Sequence, residues 1–170
     1  MSEVAPIDPA VCAKIPGWFP PPDGLTQLKI VYGDVQVRGG QVVTPGWESD
    51  HMDMVFDLPG VPVRRLYVNK RIIPMLRDAL AACVALNDGY VIRTIGCFAP
   101  RPKRVNGDLS THSWGIAVDI NAGTNPLSTD GVLRKDIPDA WIAEFEKRGF
   151  RWGGRFPKPD AMHFQYVTSY

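Results

Sequence analysis

The chain of 170 residues is long enough for one domain that buries roughly two-thirds of its unfolded surface, and 45% hydrophobic with 22% charged residues excludes a disordered or fibrous protein. With 19 Lys and Arg against 18 Asp and Glu the formal net charge is +1, which leaves no basic excess for a nucleic acid, and a monomer is expected. Cys12, Cys83 and Cys97 lack any C-x-x-C spacing, so neither a disulfide framework nor a thiolate zinc site is indicated; they read as small buried hydrophobes.

The N-terminal residues lack the basic stretch and continuous apolar core of a secretory signal, so a protein made in the cytoplasm is expected, and no segment reaches a membrane-spanning length. Within a single domain 1–170, residues 1–30 form a proline-rich arm. Trp18-Phe19 before Pro20-Pro21-Pro22 predicts an extended course that packs its aromatics onto the domain. Alternation over Val35–Thr44 around Gly39-Gly40 predicts a tight hairpin. Between Lys70 and Leu86 apolar residues recur at helical spacing, with Pro74 tolerable only in a first turn and Asn87-Asp88-Gly89 as the stop. Tyr90–Ile95, Gly115–Ile120 and His163–Val167 are candidate strands, and a second helix is predicted over Asp136–Arg148 with Asp136 as N-cap. This order implies an α+β fold, a small antiparallel sheet with flanking helices.

Chemistry concentrates in two segments. In Ser110–Asn121, strand parity puts Trp114, Ile116, Val118 and Ile120 on one face and Gly115, Ala117, Asp119 and Asn121 on the other. The small, polar face leaves room around Asp119 for a metal and a substrate, and His112 must approach from the turn before the strand. In the second segment, Gly153–Tyr166, a glycine- and proline-rich loop runs into a strand on which His163, Gln165 and Val167 share a face, with Asp160 in the loop just before it. Two histidines and one carboxylate leave a fourth tetrahedral position for water, the composition of a catalytic zinc site. Asp160 is the candidate general base, and Arg101, with Arg93 as second choice, the partner of the oxyanion or of the substrate. Each also has a plainer reading: H-x6-D is weak by spacing alone, Asp160 could cap a loop, and Arg101 could be a surface residue between prolines. His51 has only a structural reading.

S-x-H-x-x-G-x-A-x-D over Ser110–Asp119, then G-F-x-W-G-G over Gly149–Gly154 and D-x-M-H-F over Asp160–Phe164, together resemble the VanY-type D-alanyl-D-alanine carboxypeptidases. The resemblance is to the branch that includes bacteriophage endolysins and L-alanyl-D-glutamate endopeptidases, and it runs from about Val68 to Tyr166. It implies zinc held by His112, Asp119 and His163, a catalytic carboxylate at Asp160 where many relatives carry glutamate, and an upstream arginine at Arg101. Ser110 would contact substrate or shape the site, and Trp152 would wall the cleft. The implied fold is that shared with the signalling domain of hedgehog proteins.

The implied activity is zinc-dependent hydrolysis of a peptide bond in peptidoglycan stem peptides, by an L-Ala-D-Glu endopeptidase or a D-Ala-D-Ala carboxypeptidase. An enzyme made in the cytoplasm then reaches the bacterial cell wall after phage-type release. The rival expectations are a catalytically silent zinc module of the same fold and a wall-binding or virion structural protein that attaches through the Trp18-Phe19 arm.

Overall fold

The computed structural model describes residues 4–103 and 107–170. The arm is less extended than its prolines suggest. Asp8 accepts hydrogen bonds from the Ala10 and Val11 amides and so caps a single helical turn, α1 (Pro9–Cys12), with proline in the first turn where its missing N–H costs nothing. After the three prolines the chain turns directly into α2 (Gly24–Tyr32), ended by Gly33 at φ 82°. Between these helices the aromatics lie against the domain. The Trp18 indole donates to the Arg148 carbonyl at 3.2 Å, and Tyr166 donates its hydroxyl proton to the Phe19 carbonyl at 2.6 Å.

The expected hairpin pairs β1 (Val37–Arg38) with β2 (Gln41–Val42) through Gly39 and Gly40, both at positive φ, as a tight turn of this hand requires. A short helix, α3 (Trp47–His51), follows, on which His51 stacks against Trp47. It leads into a second antiparallel pair that the sequence reading does not anticipate, β3 (Met52–Phe56) with β4 (Arg65–Asn69). This pair supports the site: the Asn69 amide donates to the Gly115 carbonyl and its side chain to the Trp114 carbonyl. A 3-10 turn over Lys70–Ile72 continues into α4 (Ile73–Ala85), with Pro74 in the first turn.

The fold is α+β, and its principal sheet is small. Its four strands, β5 (Ile95–Gly96), β6 (Ala117–Ile120), β7 (Arg151–Trp152) and β8 (His163–Gln165), lie in the order β5-β6-β8-β7, all antiparallel. One row across this sheet, Val118, Phe164 and Trp152, is buried on the side of α5 (Asp139–Lys147), where the Phe145 ring lies 4.4 Å from that of Phe164, and α4 packs on α5. Phe145 and Phe164 are both fully buried, so truncating either to alanine would cost about 3–5 kcal/mol. The opposite row carries Asp119 and His163, then Ala117, Gln165 and Arg151.

Three element boundaries depart from expectation, each for a local reason. Asn121 accepts from the amides of Arg93 and Thr94, which leaves only Ile95 of the Tyr90–Ile95 segment in the sheet, paired as β5 together with Gly96. Asp136 does not cap a helix; its carboxylate accepts from Tyr90 and Asn125, and α5 begins three residues later behind Pro138. Trp114 belongs to a 3-10 turn closed by Gly115 at φ 63°, so β6 starts only at Ala117.

Candidate metal centre

Ser110 opens the 3-10 turn Thr111–Trp114 by accepting from the His112 amide at 3.4 Å. This turn carries His112 to the end of β6, where Asp119 is paired in register with His163 of β8. Three atoms meet there. His112 Nε2 lies 3.1 Å and His163 Nδ1 3.0 Å from Asp119 Oδ1, and the two ring nitrogens are 3.2 Å apart. A tetrahedral zinc with bonds of roughly 2.0–2.2 Å spaces its ligand atoms a little over 3 Å apart, so the donor set fits the ion in type and spacing.

The other ring nitrogens are committed elsewhere, which fixes the tautomers the site needs. His112 Nδ1 lies 2.5 Å from the Cys97 carbonyl, an acceptor only, so this nitrogen carries the proton and Nε2 keeps its lone pair. His163 Nε2 faces Gln165 Oε1 at 3.0 Å, and Gln165 cannot turn its amide around because its Nε2 donates to the Val167 and Tyr170 carbonyls. Thr111 donates to the same Gln165 oxygen. Such outer partners hold the ligands in place and raise their basicity. Gln165 and Thr111 have no role in the sequence reading, although Gln165 shares the His163 face.

Electrostatics favour a cation at this point. Burial opposes ionisation of Asp119, but the two histidines bonded to it outweigh burial and hold its carboxyl well below the usual carboxylate range. Burial likewise works against a proton on His163, and the Asp119 and Asp160 carboxylates overcome it, raising that ring's proton affinity. The field that binds a proton there would bind a metal ion.

Asp160 stands beside the three ligands in a different condition. Its Oδ1 is buried without a hydrogen-bond partner among the described residues. Burial and the Asp119 charge push its carboxyl up, against the pull of His163, His112 and Arg101. Gly153 makes this approach possible, since a Cβ there would meet the Asp160 carbonyl at 2.6 Å and the His163 Cβ at 3.0 Å. Asp160 and the ligand trio line a cleft of about 760 Å³, together with Arg101 and Ser110. Ser113 accepts from the Arg101 amide and donates back to its carbonyl, so the arginine's backbone is fixed while its side chain is exposed.

Two expected site residues lie elsewhere. Arg93 is exposed and outside the cleft, its amide engaged by Asn121, so it is not placed to touch a substrate there. Trp152 does not wall the cleft: its register with Phe164 turns it to the core face, where it is 1% exposed and its indole donates to the Ala161 carbonyl. Parity gives its neighbour Arg151 the cleft instead.

The sequence model of the D-alanyl-D-alanine carboxypeptidase family matches residues 104–166, the segment that carries His112, Asp119, Asp160 and His163. Over that stretch the chain is similar to a family of peptidases. Neither the curated proteins nor the solved structures contain a match to the chain.

Proposed function

We propose that the protein is a zinc metallopeptidase that hydrolyses a peptide bond in peptidoglycan stem peptides, as an L-Ala-D-Glu endopeptidase or a D-Ala-D-Ala carboxypeptidase. One observation carries this reading: two histidines and an aspartate converge on one point of an open cleft, beside a second carboxyl-bearing residue, Asp160, with an unsatisfied buried oxygen. The similarity over residues 104–166 supports the peptidase class and the substrate.

His112, Asp119 and His163 would hold the ion. Zinc, when bound, supplies a water whose pKa falls to about 7 and a Lewis acid for the carbonyl. Asp160 would serve as the proton carrier, accepting a proton from the attacking water and returning one to the leaving amine, and a carboxyl raised by burial suits both roles. Arg101 supplies a permanent charge for the oxyanion, and Cys97 and Gln165 keep the two imidazoles in their ligand tautomers. Ser110 holds the His112 turn and borders the substrate.

A catalytically silent zinc site has less support, because a closed structural site needs no spare carboxylate. The test is mass spectrometry of fragments released from purified peptidoglycan by the zinc-loaded protein, with and without chelator. Release of D-alanine, or a split between L-alanine and D-glutamate, identifies the bond. Chelation should abolish either product, and Asp160→Ala should retain zinc yet lose turnover. Turnover that survives in Asp160→Ala, or no product at all, would overturn the reading.

A further inference from the structure

The protein as a whole is almost neutral, but its cleft is not. Among the described residues Arg101, Lys103, Arg151 and Lys158 line it, against Asp119 and Asp160, with the charge of Asp108 acting on Lys103 from nearby. Cations elsewhere find carboxylates, as in Lys29 with Asp34, Arg134 with Asp130, Arg148 with Asp78 and Arg155 with Glu146. Among the described residues, none of the four cleft cations is in a salt bridge. Both cleft carboxylates are already assigned, Asp119 to the metal and Asp160 to proton transfer, so the excess positive charge faces whatever enters.

Two of the four are held in a particular way. Lys103 Nζ sits 3.5 Å over the ring of Tyr170, and the Arg151 guanidinium carbon lies 5.1 Å over the ring of Phe156. An aromatic face fixes a cation's position without neutralising it and leaves N–H donors for an anion. The seats are themselves anchored: Tyr170 donates to the Leu109 carbonyl at 2.7 Å and stands edge-on to Trp114, and Phe156 packs 6.0 Å from His163. Arg151 pairs with Gln165 across β7 and β8, so it stands on the sheet face of His163, one same-face position along. That is a displacement of roughly 7 Å along the strand, about two residues of an extended peptide.

We propose that Arg151 on Phe156 and Lys103 on Tyr170 are carboxylate seats for an acidic peptide, the Arg151 seat standing about two residues of extended chain from His163. That the seated peptide is then cut rests on the peptidase reading; the binding does not.

The test uses one stem peptide with its carboxylates free and the same peptide with them amidated. Binding of each to the metal-free full chain is measured by calorimetry at low and at high salt, and kcat and KM are measured on the zinc-loaded protein. The free acid should bind about tenfold more tightly at low salt, the scale of one charge-assisted hydrogen bond at a part-exposed site, and the margin should shrink with salt. Arg151→Gln with Lys103→Gln should remove most of that margin and raise KM for the free acid while kcat stays, with zinc content confirming the fold. Phe156→Leu, which keeps the charge and removes its seat, should remove part of it. Equal binding of the two peptides, or a margin that survives the double variant, would overturn the proposal. A margin in binding without hydrolysis of either peptide would support the seats and strike only the peptidase reading.

Discussion

Asp119 and Asn121 stand two residues apart at the end of one strand, and each anchors a cluster of polar side chains. The Asn121 cluster is complete. Asn121 accepts from two amides and donates to the Tyr90 hydroxyl and the Val91 carbonyl; Asn125 accepts from the amides of Asp136 and Ile137 and donates to the Asp136 carboxylate. Every group has a partner, and the product is a rigid junction between β6 and α5. The Asp119 cluster is left incomplete: three atoms able to ligate face one another at about 3 Å and the Asp160 oxygen beside them has no partner among the described residues. A buried polar network that satisfies itself stabilises a fold, whereas one that does not is held open by the surrounding structure for something else.

Removing a ligand should have the largest effect. His163→Ala should lose both bound zinc, read by metal analysis, and all hydrolysis, while circular dichroism shows a folded chain. Asp160→Asn should keep the zinc and slow hydrolysis by about 10²–10⁴-fold, the usual share of a general acid–base residue. On the complete side the pattern should reverse. Asn125→Ala leaves the buried Ile137 amide without its acceptor and should cost about 2–3 kcal/mol in denaturant unfolding, with zinc stoichiometry and turnover per folded molecule unchanged. Gln165→Leu frees the His163 tautomer and should weaken zinc binding about 10- to 100-fold in chelator competition.

The smallest effect concerns acid. Burial disfavours the Asp136 carboxylate, but hydrogen bonds from Thr124, Tyr90 and Asn125 outweigh it and lower the carboxyl from its ordinary 3.8. A lowered folded pKa means a contribution present above that ordinary value and lost as pH falls through the folded one. Asp136→Asn should therefore lower stability modestly at neutral pH, change it least at the most acidic pH, and so flatten the acid limb of the stability profile.

The candidate ligands are legible because Asp119 and His163 sit on strands and His112 in the turn that leads into one. Parity along Ser110–Asn121 isolates Asp119 on the small-residue face, and His163 and Gln165 share a face by the same rule. Where side chains replace backbone partners the sequence misleads, as with Asp136, read as a helix cap but drawn off by Tyr90 and Asn125. The β3–β4 pair was missed because Met52–Phe56 alternates poorly, buried at Met52 and Val55 only, and its partner lies across a long proline-containing loop. The motif alone points Trp152 to the cleft; its register with Phe164, which sends Arg151 there instead, exists only once β7 and β8 are paired.

The arm's attachment bears on how the molecule assembles. Tyr166, just beyond β8, holds the Phe19 carbonyl across 147 positions, and the Tyr32 hydroxyl reaches the Tyr166 carbonyl across 134. Loops of that span lose much chain entropy on closing before any contact compensates, so such pairings form slowly and late. The strand that bears His163 is therefore braced, through the residue that follows it, by contacts between distant parts of the chain, and a kinetic probe at that imidazole should report maturation after the helices have formed.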